Sequence, residues 1–173
     1  EKGYNNVVWD ARKISASALE LKYLSKNGEE GYPGNLEVRV VYELSDQNEL
    51  KISYSATTDQ TTPVNLTHHS FFNLHGAGKG SINDHILQIN AAHYTPIGAG
   101  LIPTGIIAAV KNTPFDFTQA TRIEKHVNDE DPQIKNGFGY DHNFVLDGSG
   151  IRTVAIIIEP ISGRKMEVIT DEP

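Results

Sequence analysis

Cysteine is absent from the chain. With it go disulfides, thiolate nucleophiles and every zinc site built on Cys ligands, and its absence leaves the compartment open. Long hydrophobic runs are missing too: the longest, Val154 to Ile158, is strand-sized, far short of the roughly 20 residues of a membrane helix. Positive charge is scarce, with 15 Lys and Arg against 22 Asp and Glu, so the net charge is −7. No Lys/Arg cluster offsets it, which argues against nucleic acid, membrane surfaces and phosphate-rich ligands as partners. Nucleophile elbows of the Gly-x-Ser-x-Gly kind and glycine-rich phosphate loops between strand and helix are also lacking. Seven histidines are present, yet none shows the i, i+4 or His-x-His spacing of a metal site, so no metal is expected. The ligand these exclusions leave is small, neutral and polar. The chain opens on Glu1-Lys2-Gly3-Tyr4, without an initiator Met, which is consistent with a processed or trimmed start.

The periodicity is that of strands. Leu36, Val38, Val40, Tyr42 and Leu44 alternate with Glu37, Arg39 and Glu43, and after the polar loop Ser45 to Glu49 the alternation resumes over Leu50 to Ala56, which predicts a β-hairpin. Further strands are expected over Ala18 to Leu24, which runs into the turn dipeptide Asn27-Gly28, and over His85 to Asn90, Asn143 to Leu146, Thr153 to Glu159 and Lys165 to Thr170. Only Gln119 to Val127 reads as a helix. Short strands punctuated by Gly, Pro, Asn and Asp point to an all-β antiparallel sandwich or barrel, with residues 1–173 as one unit.

Two segments carry chemistry. Asn65-Leu66-Thr67-His68-His69-Ser70-Phe71-Phe72-Asn73-Leu74 reads as a strand in which Asn65, Thr67 and His69 share one face and Leu66, His68 and Ser70 the other. His69 is the candidate for a cleft and His68 its structural neighbour. A strand histidine satisfied by backbone is the commoner occupant of such a position. Asn73 has two readings, a ligand contact or a cap on the Gly76–Gly80 loop. The second segment, Gly139-Tyr140-Asp141-His142-Asn143-Phe144, offers His142, whose competing reading is a surface histidine at a strand entry. Imidazole both gives and takes a proton near neutrality, which suits acid/base chemistry.

Taken together, several motifs resemble those of the aldose 1-epimerase (galactose mutarotase) family along nearly the whole chain. They are Asn27-Gly28-Glu29-Glu30-Gly31-Tyr32-Pro33-Gly34-Asn35-Leu36, the segment from Asn65 to Leu74, Leu101-Ile102-Pro103-Thr104-Gly105, Thr113-Pro114-Phe115-Asp116-Phe117, the segment from Gly139 to Phe144, and Ser162-Gly163-Arg164-Lys165-Met166-Glu167-Val168. The resemblance implies a large β-sandwich with a carbohydrate cleft and interconversion of the α and β anomers of a free aldohexose such as galactose or glucose, with no cofactor or metal. In the family pattern Asn-Leu-Thr-Asn-His-Ser-Tyr-Phe-Asn-Leu the histidine matches His69, and in Gly-Phe-Asp-His-Asn-Phe it matches His142. By resemblance His142 is the acid and His69 holds or polarises the ring oxygen, so both are expected to bind substrate.

The departures are at the ends. The family's glutamate base and a sugar-binding aspartate fall beyond Pro173, and an upstream Asn-Arg contact and a His-Gly-Gly motif fall before Glu1. The chain is therefore expected to be a partial sandwich domain, truncated at both ends, with the acid half of the machinery and, alone, little activity. Asp171 and Glu172 match a turn of the family, not the base. A non-catalytic carbohydrate-binding relative and a hexose-6-phosphate 1-epimerase are the alternatives; the acidic composition disfavours the second.

Overall fold

A computed structural model describes residues 2–173. The chain forms two compact units, residues 1–70 and 71–173. Among the described residues there are eleven strands, every named pairing is antiparallel, and the only α-helix is six residues long.

The first unit is a four-stranded meander: β1 (Asp10–Lys13), β2 (Ala18–Ser25), β3 (Leu36–Leu44) and β4 (Leu50–Thr58), in that spatial order. The hairpin predicted around Ser45 to Glu49 is present, and Tyr42 pairs with Ile52 within it. Alternation along β3 buries Leu36, Val38 and Val40 against half-buried Trp9, Leu21, Tyr54 and Leu66. A short polar ladder crosses the strands. The Glu20 carboxylate is only 2 % exposed, and it accepts from Arg12 at 3.0 Å and from Arg39. The Arg39 hydrogen bond, more than any other contact, holds the Glu20 carboxyl below its usual range. At the end of β2, Gly28 adopts φ 86°, as the Asn27-Gly28 turn requires. Glu29 there accepts from the Tyr23 hydroxyl at 2.5 Å, and that bond pushes the phenol up to about 12.

The second unit carries two sheets. One has the order β11 (Lys165–Thr170), β10 (Arg152–Ile158), β5 (Ile86–Ile89), β8 (Thr121–Arg122); the other has β7 (Ala108–Ala109), β6 (His93–Thr95), β9 (Asn143–Val145). Its core is Tyr94, Val110, Phe115 and Ile134, with Tyr140 and Phe144 packed against it.

Two expectations are corrected. Residues 119–127 do not form a helix: Thr121 and Arg122 pair with Leu87 and Ile86, and only a 3₁₀ turn, Ile123–Lys125, follows. The α-helix, α1, lies instead at Pro132–Gly137. Asp131 caps it by accepting the Gln133 amide at 2.7 Å, and Pro132 occupies the first turn, where its missing N–H is no loss. The expected strand from Asn65 to Leu74 is also absent. No residue in that span belongs to a strand, and among the described residues none of the named ladders includes it. Without a partner strand the two-face alternation cannot be expressed, so it does not separate His69 from His68.

Candidate active site

His142 sits just before β9, half-buried on a bed of aromatic rings. Its ring centroid lies 4.4 Å from Phe115 and 5.8 Å from Tyr94, and these two rings stack on each other at 4.5 Å. Two sequence motifs interlock to build the bed. Tyr140 donates its hydroxyl to the Pro114 carbonyl at 3.1 Å and packs edge-on against Phe115 and Phe117. Burial, the largest influence on it, pushes the Tyr140 phenol up to about 12, so it stays protonated as a hydrogen-bond donor.

Both ring nitrogens of His142 have polar neighbours. Nε2 lies 3.2 Å from Oε1 of Gln133, and Nδ1 accepts the Asp141 backbone N–H at 3.3 Å. Asp141 thus touches its neighbour through the main chain. Desolvation, the largest influence, lowers the pKa of His142, opposed by the charges of Asp141 and Asp131. Gly137, one helical turn after Gln133 on the same face of α1, closes the cradle. A Cβ built on it would lie 3.0 Å from Cε1 of His142. Sequence reading missed α1, Gln133 and Gly137 as parts of the site. The Asp131-Pro132 pair was a usable start signal, but that the helix faces His142 is a tertiary fact.

His69 and His68 are exposed in the irregular stretch that closes the first unit. His68 accepts the Ser70 amide at 3.4 Å on Nδ1. His69 belongs to one unit and His142 to the other. Asn73 caps its loop: Oδ1 accepts the His75 amide at 3.0 Å, and Nδ2 donates to the Gly80 carbonyl at 3.2 Å. Of its two readings, the cap is the one seen.

A second histidine group, not singled out from the sequence, lies elsewhere in the second unit. His75, Asp84 and His85 converge, with His75 Nε2 2.9 Å and His85 Nδ1 3.1 Å from one Asp84 oxygen. The spacing is close enough for a metal, so tautomers decide the matter. The Leu74 amide donates to His85 Nε2 at 3.1 Å, so the hydrogen of neutral His85 is on Nδ1 and goes to Asp84. That nitrogen has no lone pair to offer an ion. The group is a hydrogen-bond network, and the two histidines hold the Asp84 carboxyl below its usual range. Surface depressions along Ala120–Lys125 and beside His75 and Asp84 include neither His69 nor His142.

Comparison with known proteins supplies the remaining finding. The family described as Aldose 1-epimerase matches residues 3–173. The chain is 44% identical over 173 residues to a galactose mutarotase from Bos taurus and 42% to one from Homo sapiens, in each case over 99% of this chain and 48% of the relative. A crystal structure of galactose 1-epimerase from Lactobacillus acidophilus superposes with a TM-score of 0.80 at 33% identity, over 90% of this chain and 46% of that one. The chain thus spans about half the length of the relatives it matches, and the antiparallel β-sandwich expected from the sequence is the fold it shares with them.

Proposed function

Because the chain belongs to the aldose 1-epimerase family, we propose that the protein it represents is an isomerase that interconverts the α and β anomers of free aldohexoses such as galactose or glucose. Residues 1–173 are read as part of one partial sandwich domain of that enzyme. The observation that carries the reading is His142. It is an imidazole held on Phe115 and Tyr94, with one nitrogen against Gln133 and the other against a backbone amide.

The reaction needs little more than proton management. An acid delivers a proton to the ring oxygen while a base takes the proton of the C1 hydroxyl; the C1–O5 bond breaks and a C1 carbonyl forms. Rotation about C1–C2 presents the other face of the carbonyl, and the steps reverse. His142 is assigned the acid and His69 the group that holds or polarises the ring oxygen. The family pattern assigns substrate binding to each of them. Desolvation makes the His142 imidazolium a stronger acid but scarcer near neutrality, and a reversible acid/base step needs that compromise. The base is the role the family pattern gives to a glutamate that no residue here matches. Exposed Asp171 and Glu172 are not assigned it. With a net charge of −7, a free sugar suits the protein better than a sugar phosphate.

The test is polarimetry on freshly dissolved α-D-galactose and α-D-glucose with the full-length protein, with sugar binding followed in parallel. Equilibration well above the spontaneous rate supports the isomerase. Binding without accelerated equilibration would replace it with a carbohydrate-binding relative, and acceleration confined to hexose 6-phosphates would move it to that branch.

A further inference from the structure

The partner of His142 is itself held rigidly. Gln133 faces the backbone of Ile97 with both ends of its amide: Oε1 accepts the Ile97 N–H at 2.7 Å, and Nε2 donates to the Ile97 carbonyl at 3.1 Å. An N–H must meet an oxygen and a carbonyl must meet an NH₂, so this pair leaves only one orientation for the side-chain amide. Ile97 is in turn fixed. It is buried, it bridges to Pro103, and Asn136 of the same helix also donates to its carbonyl at 3.2 Å. Leu101-Ile102-Pro103-Thr104-Gly105 folds back over it, with the Gly98 amide on the Ile102 carbonyl at 3.0 Å and the Thr104 amide on the Pro96 carbonyl at 2.9 Å. The oxygen of Gln133 therefore has no freedom to swap with its nitrogen.

The consequence falls on His142. Oε1 of Gln133 is an acceptor, so the ring nitrogen 3.2 Å from it, Nε2, must carry hydrogen. Nδ1, which receives the Asp141 N–H at 3.3 Å, is the nitrogen with the lone pair. We propose that Gln133, locked by the Ile97 backbone, is a positioning residue that fixes the imidazole of His142 with its hydrogen on Nε2. This inference rests on the acid role given to His142 above and deepens it. A sugar ring oxygen is an acceptor of the same kind as Oε1, and on binding it takes the Nε2 hydrogen in the place of Oε1. Nδ1 then takes up a proton when the imidazolium forms, giving up the Asp141 N–H as it does so. Partners on one ring nitrogen commonly set the duty of the other in this way. Gln133 holds the Nε2 hydrogen until the sugar arrives and touches no sugar atom; it acts through His142.

Two variants of the full-length protein test it: Gln133→Glu and Gln133→Leu. Nitrogen-15 NMR of the histidine side chains reads the tautomer and titration of His142 directly and needs no activity. The wild type is expected to show hydrogen on Nε2. In Gln133→Glu one carboxylate oxygen keeps the Ile97 N–H and faces Nε2 while the bond to the Ile97 carbonyl is lost; the negative charge beside the ring favours the imidazolium, so the His142 titration moves to higher pH by about one unit or more, and any pH profile of kcat moves with it. In Gln133→Leu the acceptor is gone, and kcat is expected to fall by about ten- to a hundredfold with KM little changed, the scale of a misplaced catalytic group. Hydrogen on Nδ1 in the wild type, or an unmoved titration in Gln133→Glu, overturns the proposal. So does an active wild type whose Gln133→Leu variant keeps full kcat. An inactive wild type with the Nε2 tautomer and the shifted Gln133→Glu titration would instead remove the mutarotase reading and leave the positioning of His142 standing.

Discussion

Replacing Gly137 with Ala separates the position of His142 from the stability of the fold. Gly137 is the last residue of α1 and its φ lies outside the left-handed region, so alanine is conformationally allowed. On backbone grounds alone the change gains about 0.4–1 kcal/mol by restricting the unfolded chain. Against this, the new Cβ would stand 3.0 Å from Cε1 of His142, whereas carbon pairs prefer about 3.5–4.0 Å. The ring must retreat by roughly half an ångström or more in a setting where a fully buried Phe115 already packs against it, centroids 4.4 Å apart. Overpacking of this sort costs about 1–3 kcal/mol, so the net stability change is destabilising and modest, about 0–2.6 kcal/mol. The effect on the site is larger. Gln133 and Gly137 are on the same helical face, so a ring pushed off that face lengthens the 3.2 Å Nε2–Oε1 contact to about 3.7 Å, beyond hydrogen-bond range. The expected result in the full-length protein is a loss of about tenfold or more in kcat with a shift of only a few degrees in melting temperature for a loss of that size. Polarimetry and thermal unfolding measure the two. Full activity together with a raised melting temperature would refute the cradle.

Val38 is fully buried in β3, so Val38→Ala removes two buried methyl groups and leaves a cavity; denaturant titration should show a loss of about 2–3 kcal/mol. Phe138 caps α1 at φ 53° with its ring 93 % exposed. Phe138→Gly relieves the left-handed strain and should raise stability by about 1 kcal/mol; a loss of stability in thermal unfolding would contradict the reading of Phe138 as a strained, exposed cap. Stability should also decline in acid. Glu20, Asp84 and Glu159 have folded pKa values below their ordinary ones, so the stability they add is present above the unfolded carboxylate range near 4 and is lost as pH falls through the folded values. His142, lowered by desolvation, acts in the same sense over a higher window: its folded form resists protonation, so stability falls as pH drops below about 6.5. Denaturant midpoints that stay flat from neutrality to about pH 3 would contradict both.

Legibility in the sequence followed how local the determining interactions are. The β3–β4 hairpin could be read because its alternation is long, its buried face is continuous and its loop is polar; β10 and β11 were legible from their apolar and mixed runs. The stretch from Asn65 to Leu74 has the composition of a strand, but a strand needs a ladder, and pairing is not encoded in one segment. Residues 119–127 were misread for the opposite reason. A weak helical pattern gave way to a two-residue ladder with β5 and a 3₁₀ turn. Six-residue α1 is too short to show a period, and only its Asp131 cap and Pro132 announced it. Of the candidate site, His142 was singled out through its motif, while Gln133 and Ile97 come to it through tertiary contacts from nine and 45 residues upstream.

The central claim, that His142 is the acid of a sugar-ring opening, is tested most directly by the anomerisation rate of α-D-galactose with full-length wild type and its His142→Ala variant at equal, folded concentration. Catalysed equilibration by the wild type and its near abolition in the variant, a loss of about a hundredfold or more, are expected. An active wild type matched by an equally active His142→Ala variant would contradict it.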